Sequence, residues 1–258
     1  MKKINKRLDF LVVCFFVFLG PFLTVIVNLK PLEGGIISML FPSIYLIVRE
    51  KKNMKKIALA VLIFGGIFMG LFDFMETLNS AWVMERLVFS WRIFGVLPFD
   101  DVVGFSLMTL LVVTFYEHFI DDEKNKRISK NLMWALIPSA IVAVVFIIVS
   151  TFVVWEPFNI RYVYLFGGIV AIAVPLAVAY VKPKLITKLL SVSAFFFVVW
   201  FLAEIAAIKT GGLTFPGEYI GTVTVFGATF PFEELFFWMM MYAASVVSYY
   251  ELFIDDLQ

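Results

Sequence analysis

FGATFPFEELFFWMMMYAASVVSYYELFIDD, Phe226 to Asp256, is the stretch whose reading decides the fold. Two adjacent carboxylates, Glu233 and Glu234, follow Pro231 and head about twenty apolar and aromatic residues, enough to cross a bilayer as a helix. Acids in such a span are costly, so their presence needs a reason. The same pattern is written earlier as FGVLPFDDVVGFSLMTLLVVTFYEHFIDD, Phe94 to Asp122, with Pro98, Asp100 and Asp101 in the places of Pro231, Glu233 and Glu234. The chain therefore reads as a tandem duplication, with a first membrane repeat at 1–130 and a second at 131–258.

Hydrophobic residues make up 62% of the 258 positions and charged residues 16%, with a mean hydropathy of +0.97. That is more apolar than a water-soluble surface tolerates, so the class is an all-α integral membrane protein. Lys and Arg (21) nearly balance Asp and Glu (20), and net charge points to no nucleic-acid partner. With Cys14 and His118 the only residues of their types, an internal disulfide is excluded and no metal or other cofactor is expected. The apolar run after MKKINKR continues through Val27 without a small-residue cleavage site and is read as a retained first span.

Eight apolar segments emerge, at about 9–29, 34–49, 57–78, 99–120, 133–154, 161–181, 186–208 and 232–253. With a cytoplasmic N-terminus, only Lys30, Arg86, Arg92, Arg161 and Lys209 fall on the outer side, and the other Lys and Arg all fall inside. The expectation is a multi-pass cell-membrane protein with both termini in the cytoplasm. Four spans per half make the repeats parallel, related by an axis along the membrane normal; homo-oligomerisation stays open. Two long apolar connections, Asn79 to Leu97 and Thr210 to Phe230, occupy matching places before the fourth and eighth spans. Segments so rich in Trp, Phe and Val are expected to cover the bundle as lids. GGIFMG, Gly65 to Gly70, lies inside an apolar helix and follows no strand, so it reads as close helix packing and not as a nucleotide turn.

Carboxylates inside spans are functional candidates by default. Asp73 and Glu76 lie in the third span and Glu204 in the seventh, while Asp100/Asp101 and Glu233/Glu234 open the fourth and eighth. At about 1.5 Å per residue, Asp73 and Glu204 sit about 24 Å above their cytoplasmic starts, in the layer the two acid pairs also reach. A purely structural reading exists as well: proline suits the first helical position, and first-turn acids complement the helix dipole. The readings are compatible, because in a dry site one acid of a pair keeps its proton and can donate it while its neighbour stays ionised. Phe237 and Trp238, one turn below the Glu pair, are the aromatic faces best placed to stabilise a carbocation. Glu218 and Tyr219 in FPGEYIG, with Arg92 in the matching lid, either orient an acid or form a loop ion pair. Tyr116, Glu117 and His118, and their counterparts Tyr250 and Glu251, are expected to act as interfacial anchors.

At these residues the chain resembles the small integral-membrane lycopene cyclases, the non-flavin type of archaea, actinobacteria and fungi, built as fused or split pairs of homologous halves. The resemblance rests on the duplicated Pro98-Phe99-Asp100-Asp101 and Pro231-Phe232-Glu233-Glu234, the acid of the preceding helix (Asp73, Glu204), the aromatic lid and the trailing Tyr116-Glu117 and Tyr250-Glu251. It covers mainly 57–122 and 185–256. It implies a redox-neutral ring closure of a linear carotenoid taken from membrane lipid, with Glu233, Glu234, Asp100 and Asp101 catalytic. Asp73, Glu76, Glu204, Glu218, Arg92, Phe237 and Trp238 would bind or support. Asp-Asp stands in the first half where the family usually has Glu, which leaves open whether both halves are catalytic and whether the product is a ring or a hydrated end group. Two other classes stay open: a proton-coupled carrier of a lipophilic or small organic substrate, and a non-catalytic pigment-binding subunit that would tolerate loss of the acids.

The charge asymmetry predicts that cysteine labelling reaches Asn53, Asn125 and Gln258 from the cytoplasm and Asn159 from outside. Asn125 and Gln258 on opposite faces would remove the parallel four-plus-four arrangement.

Overall fold

A computed structural model describes residues 5–49, 54–121, 127–158 and 160–255. The structure is 74% helical, with eight helices among the described residues, seven of them long and apolar enough to span a membrane. These seven are α1 (Lys6–Val27), α2 (Pro31–Arg49), α3 (Met54–Leu78), α4 (Phe99–Asp121), α5 (Leu132–Phe152), α6 (Val163–Val181) and α7 (Pro183–Lys209). The eighth, α8, begins as a π-helical stretch, Glu234–Met240, and continues as Met241–Phe253. Its acids at both ends, with Tyr242, Ser245, Ser248, Tyr249 and Tyr250 between, make it less apolar than the rest. Every expected segment is present with ends shifted by a few residues; Asn53, Asn125, Asn159 and Gln258 lie outside the described residues.

Local chemistry sets the starts. The Asn5 side chain accepts from the Leu8 amide at 3.3 Å, capping α1. Pro31 opens α2, and Glu33 reaches back to the Lys30 amide at 2.7 Å.

The helices of the two halves contact one another in matching pairs. α3 packs on α4 and α7 on α8, α2 packs on α4 and α6 on α8, and α4 meets α8 across the centre. Other contacts cross between halves, because α1 packs on α7 and α3 on α5. The repeats therefore interlock and are not two self-contained bundles. At Gly65 the close packing expected of GGIFMG is present: a Cβ there would come within 2.9 Å of the Ser106 backbone in α4. On α5 only Ala135 and Ser139 are buried, and its remaining apolar surface faces outward, as a lipid-facing helix requires.

The lids contain strands, which the hydropathy reading did not foresee. β1 (Val83–Met84) pairs antiparallel with β4 (Leu213–Thr214) and so joins the two lids. β2 (Arg92–Ile93) with β3 (Leu97–Pro98), and β5 (Thr222–Val225) with β6 (Ala228–Pro231), form hairpins at matching places. Each turns through Phe-Gly with both residues at positive φ, 50° and 74° at Phe94-Gly95 and 50° and 77° at Phe226-Gly227. Glycine supplies the second of these conformations without strain, and the resulting twist suits a tight hairpin. The Tyr219 hydroxyl donates to the Ala81 carbonyl, and Arg86 donates to the carbonyl oxygens of Asn28 (2.7 Å) and Thr210 (3.1 Å). Burial pushes the Tyr219 phenol above its usual range, so it stays a donor.

At the opposite end the tyrosines and acids expected at the interface are buried instead. Tyr116 donates to Glu251 and Tyr250 donates to Glu117, each bond crossing between halves. Lys188 bonds Asp121 at 2.5 Å and Lys56 bonds Asp255 at 2.5 Å, again across the halves. His118 Nε2 lies 3.2 Å from Asp9, which also accepts from Tyr45 (2.7 Å) and Arg49 (2.9 Å). The anchoring reading fails because α4 and α8 face each other here, turning Tyr116 and Tyr250 to the axis.

Lys56→Met should cost about 3 kcal/mol by leaving Asp255 charged and buried, and adding Asp255→Asn should recover at least about half of that. Unfolding midpoints in bicelles measure this; additive losses in the double variant would mean that the two residues do not act as a pair.

Candidate functional site

The two acids of each proline motif take different positions. Asp100 accepts from the Val88 amide at 2.6 Å and the Phe89 amide at 2.9 Å. In the second half Glu233 accepts from the Ile220 amide at 2.7 Å. The first acid of each pair thus ties lid backbone to the head of the helix, satisfying amides that a buried loop otherwise leaves unpaired. The second acids face the acids of the preceding helix: Asp101 lies beside Asp73, and Glu234 is within electrostatic reach of Glu204 and Glu76, with which it shares a cavity. Tyr164 of α6 donates its hydroxyl to Glu234, and Trp82 lies near Glu76 in the cavity wall.

Beneath the lids these groups border a cavity of about 180 Å³, lined from every helix except α5. Its carboxyls are Glu76, Asp100, Asp101, Glu204 and Glu234, and its aromatic walls are Trp82, Phe105, Tyr164, Trp200, Phe215 and Trp238. Among the described residues, no Lys, Arg or His lines it. Glu204 is partly exposed to the cavity and makes no hydrogen bond among the described residues. Glu234 and Trp238 are presented from the π-helical stretch of α8, a wider turn of the kind that recurs at functional sites.

Several expectations are corrected. Glu233 is fully buried, held by Ile220, and does not line the cavity; Asp73 stands behind Asp101 and does not line it either. Phe237 turns toward Gly168 and borders only a separate cavity of about 40 Å³, whereas Trp238 borders both that cavity and the one with the acids. Glu218 forms an exposed ion pair with Arg161 at 2.8 Å, which takes it out of the site. Arg92 is exposed and donates to the Val96 carbonyl of its own hairpin at 2.8 Å. In the first lid Val88 and Phe89 meet the acid, while Trp91 stacks on Phe99 at 4.0 Å. In the second lid Ile220 reaches Glu233 and both Phe215 and Tyr219 pack on Tyr164.

Trp200, Trp82 and Tyr164 are among the cavity residues that escaped the sequence reading. Trp200 had a signal, since it precedes Glu204 by four positions and shares its helix face. Trp82 lay within a segment read as a lid but was not separated from its neighbours. Tyr164 had a weaker signal in the following Gly167-Gly168, where added Cβ atoms would come within 2.7 Å of Glu76 Oε1 and 2.5 Å of the Phe237 ring. The chain matches no family model, no curated protein and no solved structure in the comparisons made.

Glu233→Ala should free the Ile220 amide and speed its hydrogen exchange by at least about tenfold, whereas Glu233→Gln, which keeps an acceptor oxygen, should preserve protection. Asp100→Ala should do the same at Val88 and Phe89. Equal exchange in Glu233→Ala and the parent protein would remove the tethering role.

Proposed function

We propose that the protein is a carotenoid cyclase that closes a ring at the end of a linear, lycopene-type chain within the bilayer, an intramolecular lyase needing no redox partner. The observation that carries this reading is the cavity, where carboxyls from both halves meet aromatic faces beneath two lids with no cationic side chain among the described wall residues. Protonation of an alkene needs a carboxylic acid, an environment that stabilises a cation and a base for the final proton; nucleophilic side chains would trap the intermediate. Glu204, unbonded and facing the cavity, transfers its proton to the terminal double bond. The resulting tertiary cation is attacked by the next double bond along the chain, which closes the six-membered ring and moves the positive charge onto it. Trp200, Trp238 and Tyr164 offer π faces to that charge. Glu234, oriented by the Tyr164 hydroxyl, removes a proton from the ring carbon beside the cation and leaves a new double bond. Glu234 then returns the proton to Glu204, so atoms and charge balance over the cycle.

The same reading places the protein in the cell membrane with both termini cytoplasmic, in line with the basic inner loops. A proton-coupled carrier is the second reading, favoured by the buried Lys, Tyr and carboxyl groups at the far end. The interlocked helices speak for the enzyme, because a carrier that rocks one half against the other needs separable halves.

Pigment analysis after expression in a lycopene-accumulating host tests the proposal. Glu234→Gln and Glu204→Gln should each lower conversion at least about 10²-fold, the usual contribution of a positioned acid or base, whereas Glu233→Gln should lower it less than about tenfold. Asp101→Asn reports whether the first half also works as a site. Undiminished cyclisation by a well-expressed Glu204→Gln, Glu234→Gln double variant would end the mechanism.

A further inference from the structure

The two cavities occupy matching places in the repeats but differ in size. Helices α2, α4 and α7 wall one side of the acid-lined cavity of about 180 Å³, and their counterparts α6, α8 and α3 wall the separate cavity of about 40 Å³. Individual wall residues correspond too. Trp200 and Ala203 precede Glu204 by the same steps as Met69 and Phe72 precede Asp73, and the first pair lines the larger cavity, the second pair the smaller. Gly104 stands three residues after Asp101, as Phe237 stands three residues after Glu234.

The room is made at two of these positions. In the smaller cavity the Phe237 ring covers Gly168, where an added Cβ would come within 2.5 Å of it, and an added Cβ at Gly167 would meet Phe72 at 3.8 Å. The corresponding Gly-Gly pair of α2 is Gly34-Gly35, and no ring covers Gly35: an added Cβ there meets only the Met39 methyl, at 4.0 Å. At Gly104 an added Cβ meets no described atom within 4 Å. That space belongs to the cavity. The α4 residues lining it are Asp100, Asp101, Gly104, Phe105, Leu107 and Met108, and at about 100° per residue Gly104 falls near the middle of the arc they cover. Ala203 widens the same side, where Phe72 stands in the smaller cavity.

Volume decides what fits. An apolar cavity of about 150 Å³ takes a benzene, whereas a single water already claims about 30 Å³ in the liquid. The larger cavity therefore holds a six-carbon ring beside its acids, and the smaller one little more than a water.

We propose that the protein has a single seat for the reacting end of its apolar ligand, between Gly35 and Gly104 and against Ala203, and that Phe72 and Phe237 close the counterpart seat. Gly104 and Ala203 are then the size-determining residues, and the duplicated chain works on one end group at a time. That the end group is a chain end folding into a six-membered ring rests on the cyclase reading; the room for it does not.

The full-length protein in nanodiscs is titrated with benzene while the ¹³C-methyl signals of Met39, Met108 and Met69 are followed, each assigned by Met→Leu substitution. The first two residues line the larger cavity and the third the smaller. In the parent protein Met39 and Met108 should shift saturably and Met69 should not. Gly104→Phe introduces a ring that the fold already accommodates over Gly168, and it should weaken binding at least about tenfold, the cost of overfilling a site; Gly104→Leu should weaken it at least about threefold. Melting midpoints establish which variants are folded. A Phe72→Ala, Phe237→Ala double variant should gain a second saturable site, seen at Met69. Unweakened binding in a folded Gly104 variant, no second site in the folded double variant, or parent shifts at Met69 equal to those at Met108 overturns the proposal. Expression in a lycopene-accumulating host keeps the two readings apart. Benzene binding that depends on Gly104, with no polyene converted by the parent, would leave the seat standing and sink the cyclase reading. Conversion of lycopene by the parent, undiminished in a folded Gly104→Phe, would do the reverse.

Discussion

The amides of Val88, Phe89 and Ile220 donate to Asp100 and Glu233, and these bonds fasten the lids to the heads of α4 and α8. Each is a charge-assisted bond in a region sheltered from water, the kind that contributes about 1.5–3 kcal/mol. They solve two problems together. Irregular backbone cannot lie against lipid with its amides unpaired, and a carboxyl at the head of an apolar helix cannot lie unpaired either. With the first acid of each motif engaged by a lid, the second is left to face inward, where Asp101 lies beside Asp73 and Glu234 is within electrostatic reach of Glu204.

The end opposite the lids obeys the same rule with different partners. Lys56 with Asp255, Lys188 with Asp121, and the two Tyr-Glu bonds all run between halves. A buried pair of this kind adds little net stability over an apolar one, but losing one member is expensive, so it fixes which surfaces meet. The contacts of α1 with α7 and of α3 with α5 tie the halves together in the same way. The cavity is lined by helices of both repeats, four from the first and three from the second.

Between the lids and the opposite end of the bundle the cavity gathers five carboxyls with no Lys, Arg or His among its described lining residues. Carboxyls can exchange protons with a ligand, and aromatic faces can stabilise positive charge. The wall thus carries a few polar groups within a mostly apolar surface.

Hydropathy alone determined the membrane class, the helical segments and their approximate ends, because a span is a local property of about twenty consecutive residues. The duplicated proline-acid-acid motif likewise announced the repeat and the layer in which acids collect, since helix rise converts spacing into depth. Sequence could not divide the work within each acid pair: Glu233 and Glu234 are chemically identical, and only the position of the Ile220 amide, set by a hairpin of the lid, sends one to the backbone and the other to the cavity. Nor could it place Glu218 in an exposed pair with Arg161, or bring Tyr164 to Glu234, because those partners lie 57 and 70 residues apart. Depth along a helix is written in the local sequence, whereas the direction a side chain faces depends on which helix packs beside it, and that was decided by the interlocking of the two halves.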